Sequence, residues 1–228
     1  MKSGSLFSVA ACVFAGILLM AAVLFVGLKV FYQIPAESFL KDFSALKAGS
    51  STFEDVQRIR AKHPGKSQNI AGVEQPCSAE SCELMFAFAN WGLNSLPGAN
   101  VVTFGGNILV KNGRVEAATL IYQARPRPDA KIPEQIDDPQ RGKMQIVASH
   151  AYMYAVVDAV DRAENNYGIR KTDVDSSGIP HTLYSRLGPR SSPADRKTAY
   201  SIDLSCLSKW YGCDNPTAIY LAHWQSLQ

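Results

Sequence analysis

The chain has 228 residues, 46% hydrophobic and 19% charged, with a formal net charge of +3. That composition is globular, and the small charge, with no basic or acidic tail, gives no reason to expect a nucleic-acid partner. Beyond an N-terminal anchor about 200 residues remain, which suits one domain with a sizeable core.

Leu6 to Leu28 contains no charged residue. Its 23 residues at 1.5 Å each reach about 34 Å, enough to cross a hydrocarbon core about 30 Å thick. Residues 1–32 therefore read as a transmembrane anchor that places residues 6–28 in the lipid bilayer. The segment after Leu28 lacks the paired small residues of a signal-peptide cleavage site, so the anchor reads as uncleaved. Two leader patterns compete with it. Val9-Ala10-Ala11-Cys12 resembles a lipoprotein box, but only Leu6 and Phe7 form an apolar run before it. Met1 to Gly4 resembles a type IV pilin leader, in which cleavage follows the glycine, although Val9 stands where such proteins carry glutamate. Lys29, Lys41 and Lys47 follow the helix while Lys2 precedes it. That count leans towards a cytoplasmic C-terminus, and cysteine usage points the other way.

Residues 33–228 form the expected domain, opening with a helical hairpin over 33–66. Phe39, Leu40, Phe43 and Leu46 fall at helical spacing after Pro35, with Gly49 beyond the end. Ser51-Thr52-Phe53-Glu54 predicts a capping box, followed by the stripe Phe53, Val56, Ile59 and a stop at His63-Pro64-Gly65. The run from Leu46 to Ile59, a leucine, a glycine, hydroxyl residues and then an acidic-valine helix, resembles the opening of small outer-membrane-assembly lipoproteins of the BamE/SmpA type. The resemblance covers these 14 residues and implies an accessory role in the cell envelope. Between Lys29 and Lys66 stand seven Lys/Arg and four Asp/Glu. This excess of three suits either a face over anionic lipid or an ordinary solvated helix.

Residues 67–228 read as β-rich. Runs at 84–91 and 101–110 have strand character, and Asn112-Gly113 supplies the positive φ angles of a type I′ turn joining Ile108–Lys111 to Arg114–Tyr122. Pro126, Pro128, Pro133 and Pro139 predict a long loop over 124–143. A strand is expected from Ile146, a polar stretch over 165–179, strands at 182–187 and 198–206 around a Ser/Pro loop, and a final helix from Asn215-Pro216. The fold class is α+β: transmembrane helix, helical hairpin, antiparallel sheet of about six strands, C-terminal helix.

Cys12 lies in the anchor, leaving Cys77 with Cys82 and Cys206 with Cys213 as two close pairs. Four cysteines permit three connectivities, and the local pairs close the shortest loops. A four-thiolate zinc site is the competing reading, but six residues inside the second pair exceed the usual ligand spacing. Disulfides place the domain in an oxidising space such as the periplasm.

Asp173-Val174-Asp175 with Ser177 and Gly178 matches the first half of a calcium loop. The twelfth position, which should be a bidentate glutamate, is Tyr184, so an ordinary turn is the simpler reading. His63, His150, His181 and His223 fall at no paired-ligand spacing. Ser38 with Lys41 and Ser44 with Lys47 have the Ser-x-x-Lys spacing of penicillin-binding sites without the companion motifs. Trp210 and Tyr211, inside the second cysteine loop, form an aromatic knob suited to a partner contact. No cofactor is expected. The sequence points to a membrane-anchored, non-enzymatic envelope domain that binds a protein partner or assists assembly. An extracytoplasmic hydrolase with a site built from distant residues, and a pilin-like subunit, are the alternatives.

Overall fold

The computed structural model describes residues 3–63, 65–67, 74, 76–90, 92, 101–125, 136–138, 142–144, 152–161, 166–174 and 180–209. The fold is α+β, with a long apolar N-terminal helix and one mixed sheet covered on one face by helices. Helix α1 (Ser3–Leu28) is long and apolar enough to span a membrane, and its side chains from residue 10 to 26 are exposed.

At Lys29–Gln33 the backbone takes a π-helical turn and continues directly into α2 (Ile34–Ser44). Proline has no N–H to bond back one turn and its ring crowds the carbonyl there. A wider turn just before Pro35 absorbs that conflict without breaking the helix. Pro35 thus opens α2 as expected, but inside one continuous rod. Helix α3 (Phe53–Lys62) folds back beside α2. Its capping box is Thr52 with Asp55, one residue beyond the expected Ser51 and Glu54.

The sheet contains β1 (Gly65–Ser67), β2 (Ser81–Ala89), β3 (Val101–Lys111), β4 (Arg114–Arg125), β7 (Tyr152–Ala159), β8 (Asn166–Val174) and β9 (Pro180–Leu187), in the order β1-β2-β3-β4-β7-β9-β8. Five of its six pairings are antiparallel, and β7 with β9 is parallel. The parallel pair arises because β8 occupies the edge and β9 fills the place between it and β7. A separate two-stranded ribbon, β5 (Ile136–Asp138) with β6 (Gly142–Met144), lies within the stretch expected to be loop.

Asn112 and Gly113 have φ of 50° and 75°, the two-residue turn expected between β3 and β4. A bulge follows, where Val110 pairs Val115 while Leu109 pairs Ala117, leaving Glu116 as the extra residue. Two expectations change in the C-terminal third. The polar stretch at 165–179 contains edge strand β8, which tolerates polar residues because it has one neighbour. The Ser/Pro loop and the strand expected at 198–206 are instead helix α4 (Pro193–Ala199), coil and a 3-10 turn at Ser205–Ser208. Ser192 and Asp195 form a reciprocal capping box and Pro193 takes the first helical position, a start signal as complete as that of α3. The expected strand at 146–151 and helix from Asn215 lie outside the described residues.

The inner face of the sheet alternates regularly, with Leu84, Phe86, Val102, Phe104, Ile108, Leu120, Tyr122, Tyr154 and Leu183 buried. Phe39 of α2 sits at its centre, with ring centroids 4.9 Å from Phe86, 5.1 Å from Phe88 and 6.0 Å from Phe104. Gly106 permits this approach, since a Cβ there would lie 2.6 Å from the Phe43 ring. The helix that begins as the apolar segment therefore ends as a core element.

Candidate functional site

Asp158, at the end of β7, has no solvent exposure, and Arg196 of α4 is 7% exposed. Arg196 Nη1 donates to Asp158 Oδ2 at 2.7 Å and to the Leu46 carbonyl at 3.3 Å, while Nη2 donates to the Gly188 carbonyl at 3.4 Å. The Ala48 N–H also donates to Asp158 Oδ2, at 3.2 Å. One ion pair thereby ties the α2–α3 connection, the end of β7, the loop after β9 and α4 together. A charge this deeply buried persists only when paired and hydrogen-bonded, and both conditions are met.

Asp158 Oδ1, Ser185 Oγ and Tyr200 Oη are buried without a hydrogen-bond partner among the described residues. Burial pushes the Tyr200 hydroxyl far above its usual range; the Asp158 carboxylate adds to this and Arg196 opposes it. The phenol stays protonated and can only act as a neutral hydrogen-bonding group. Outside the pair lies a cleft of about 470 Å³, lined by Ser44, Lys47, Pro189, Ser191, Pro193, Arg196, Lys197 and Tyr200.

A second groove, about 490 Å³, runs between α2 and α3. Both of its acids are paired: Arg58 with Asp55, and Lys62 Nζ lies 2.7 Å from Asp42 Oδ2. His63 Nε2 also lies 2.7 Å from Asp42 Oδ2, and the ring is buried edge-on against Phe39 and Phe88. Partial burial opposes ionisation of Asp42, but hydrogen bonds and charge from Lys62 and His63 outweigh it and hold the carboxyl below its ordinary 3.8. Chemically this acid-imidazole contact closes the foot of α3 onto α2.

Compared with known protein families, curated proteins and solved structures, the chain matches none. The residues themselves therefore carry the functional reading.

Cys77 and Cys82 are bonded to each other. Their loop supports the β3–β4 turn, with the Ala79 and Glu80 carbonyls accepting from the Gly113 and Asn112 N–H groups at 2.6 and 3.0 Å. Cys206 is buried and disulfide-bonded, while its expected partner Cys213, with Trp210 and Tyr211, lies outside the described residues. Asp173 stands in β8 and Asp175 lies outside the described residues. Among the described residues no group of three or more His, Cys, Asp or Glu could hold a metal ion. Sequence reasoning passed over Asp158, Arg196 and Tyr200. No local pattern marks Asp158; the Ser192-Pro193-Asp195 helix start would have put Arg196 and Tyr200 about one turn apart.

Proposed function

We propose that this is a single-pass membrane-anchored protein of the cell envelope, with its domain outside the cytoplasm, serving as a non-enzymatic binding or assembly accessory. The observation that carries the reading is the continuity of anchor and core. Exposed apolar side chains of α1 give way, about two to four turns past its end, to Ala36, Phe39 and Phe43, each with no solvent exposure. Such a junction leaves no flexible linker, so a spanning α1 would hold the domain close to the bilayer in a fixed orientation. The contact of Ser208 Oγ, donating to Gln33 Oε1 at 2.7 Å, supports it from the sheet side. The Cys77–Cys82 bond supports an oxidising compartment. The described polar clusters hold helices and strands to one another, which favours a recognition scaffold over a reaction centre.

A second reading has one observation of its own. A helix whose first half is apolar and exposed and whose second half packs on a largely antiparallel sheet is the layout expected of a pilin-like subunit. N-terminal sequencing of the protein recovered from carbonate-washed membranes separates the readings. An intact anchor gives the chain from its first residues, processing after Gly4 gives Ser5, and a cleaved signal peptide gives a start between Val30 and Phe39. The accessory reading requires the first of these outcomes.

A further inference from the structure

The cleft beside Arg196 carries positive charge that no described carboxylate balances from within it, and its chemistry bears on the kind of partner the proposed accessory domain would take. Three cations line it: Lys47 in the α2–α3 connection, and Arg196 and Lys197 on α4. Arg196 is neutralised from behind by Asp158, which holds the guanidinium fixed. Lys47 and Lys197 are exposed, and among the described residues neither has a carboxylate in ion-pair range. No described carboxylate lines the cleft. The α2–α3 groove, with three cations and two carboxylates, shows the contrast, because its acids are already paired with Arg58, Lys62 and His63.

Shape and position narrow the occupant. A space of about 470 Å³ is far larger than one phosphate or carboxylate needs. Pro189, Pro193 and the Tyr200 ring give it apolar walls that hydrated ions do not use. Ser44, on its rim, stands sixteen residues past Leu28 along the helical rod, about 24 Å. With α1 across a bilayer, that is two to three Debye lengths above the headgroups at physiological salt. At that height headgroup charge is largely screened, which favours a ligand from the aqueous side.

We infer that this cleft binds an acidic segment of a partner protein, with side-chain carboxylates set on Lys47 and Lys197 and its backbone or apolar side chains against Pro189, Pro193 and Tyr200. The inference rests on the accessory reading above and gives it a partner class.

The test uses the full chain in zwitterionic nanodiscs and a fluorescent Asp/Glu-rich peptide, read by anisotropy. Saturable binding should weaken about tenfold or more in the Lys47→Glu, Lys197→Glu double variant. Arg60→Glu with Lys66→Glu changes net charge equally at a distance from the cleft and should leave binding within about twofold. Both replaced lysines are exposed, so unchanged unfolding midpoints confirm that each variant is folded. Absence of saturable binding, equal loss in the distant pair, or competition by inorganic phosphate or glycerol phosphate as effective as the peptide itself would each overturn the proposal. None of these results affects carbonate-resistant membrane attachment, so the site can fail while the anchored-domain reading stands.

Discussion

Replacing Arg196 with leucine leaves the Asp158 carboxylate fully buried with one backbone N–H as its remaining recorded partner. Breaking a buried pair in this way costs about 3–5 kcal/mol, whereas replacing both members with apolar residues is often neutral. R196L should therefore fall by that amount in urea unfolding, and R196L with Asp158→Leu should recover most of it. An R196L chain within about 1 kcal/mol of the parent would show the pair to be dispensable. Asp42 makes a pH prediction with a definite sign. Its carboxyl is held below 3.8 in the folded state, so the stabilisation is complete above that value and disappears as pH falls through the folded value. Asp42→Asn should flatten the acid limb of the stability profile and leave neutral stability lower. The local partners were legible, because Cys77 and Cys82 are five residues apart. The pair of Asp158 and Arg196, 38 residues apart, depends on a strand order that no local pattern encodes.

At the scale of elements, sequence signals worked wherever the chemistry was local. Asn112-Gly113 gave its turn, the Phe39, Phe43 and Val56, Ile59 stripes gave both hairpin helices, and Pro35 opened α2 as expected. The expected capping box at Ser51 and Glu54 formed instead at Thr52 and Asp55, since hydroxyl and acid stand at both offsets. Helix α4 was missed because seven residues carry too little apolar periodicity to outweigh Ser and Pro composition. Strand β8 was missed because an edge position removes the apolar alternation on which strand recognition rests. The Cys77–Cys82 loop binds the β3–β4 turn through two carbonyls, so its bond should act on that hairpin. Cys77→Ser with Cys82→Ser should lower stability by about 2 kcal/mol. Hydrogen exchange should rise first at Asn112 and Gly113, and uniform loss across the sheet would contradict a local staple.

For the molecule as a whole, the sequence alone established an apolar span, an α+β domain and one close cysteine pair, because each follows from composition or short spacing. It did not disclose that the span and the core share a rod, since Pro35 reads locally as a new beginning. Nor did it disclose which face gathers unpaired cations, because Lys47 and Lys197 come from segments brought together by β7 and β9. On the function proposed above, the domain is held against the outer side of a membrane by its own first helix. The measurement that tests this most directly is a fusion of an oxidation-dependent phosphatase after Gln228, assayed in carbonate-washed membranes from intact-cell fractionation. The account predicts an active phosphatase that remains in the membrane pellet; a stable but inactive fusion, or activity released into the soluble fraction, would contradict it.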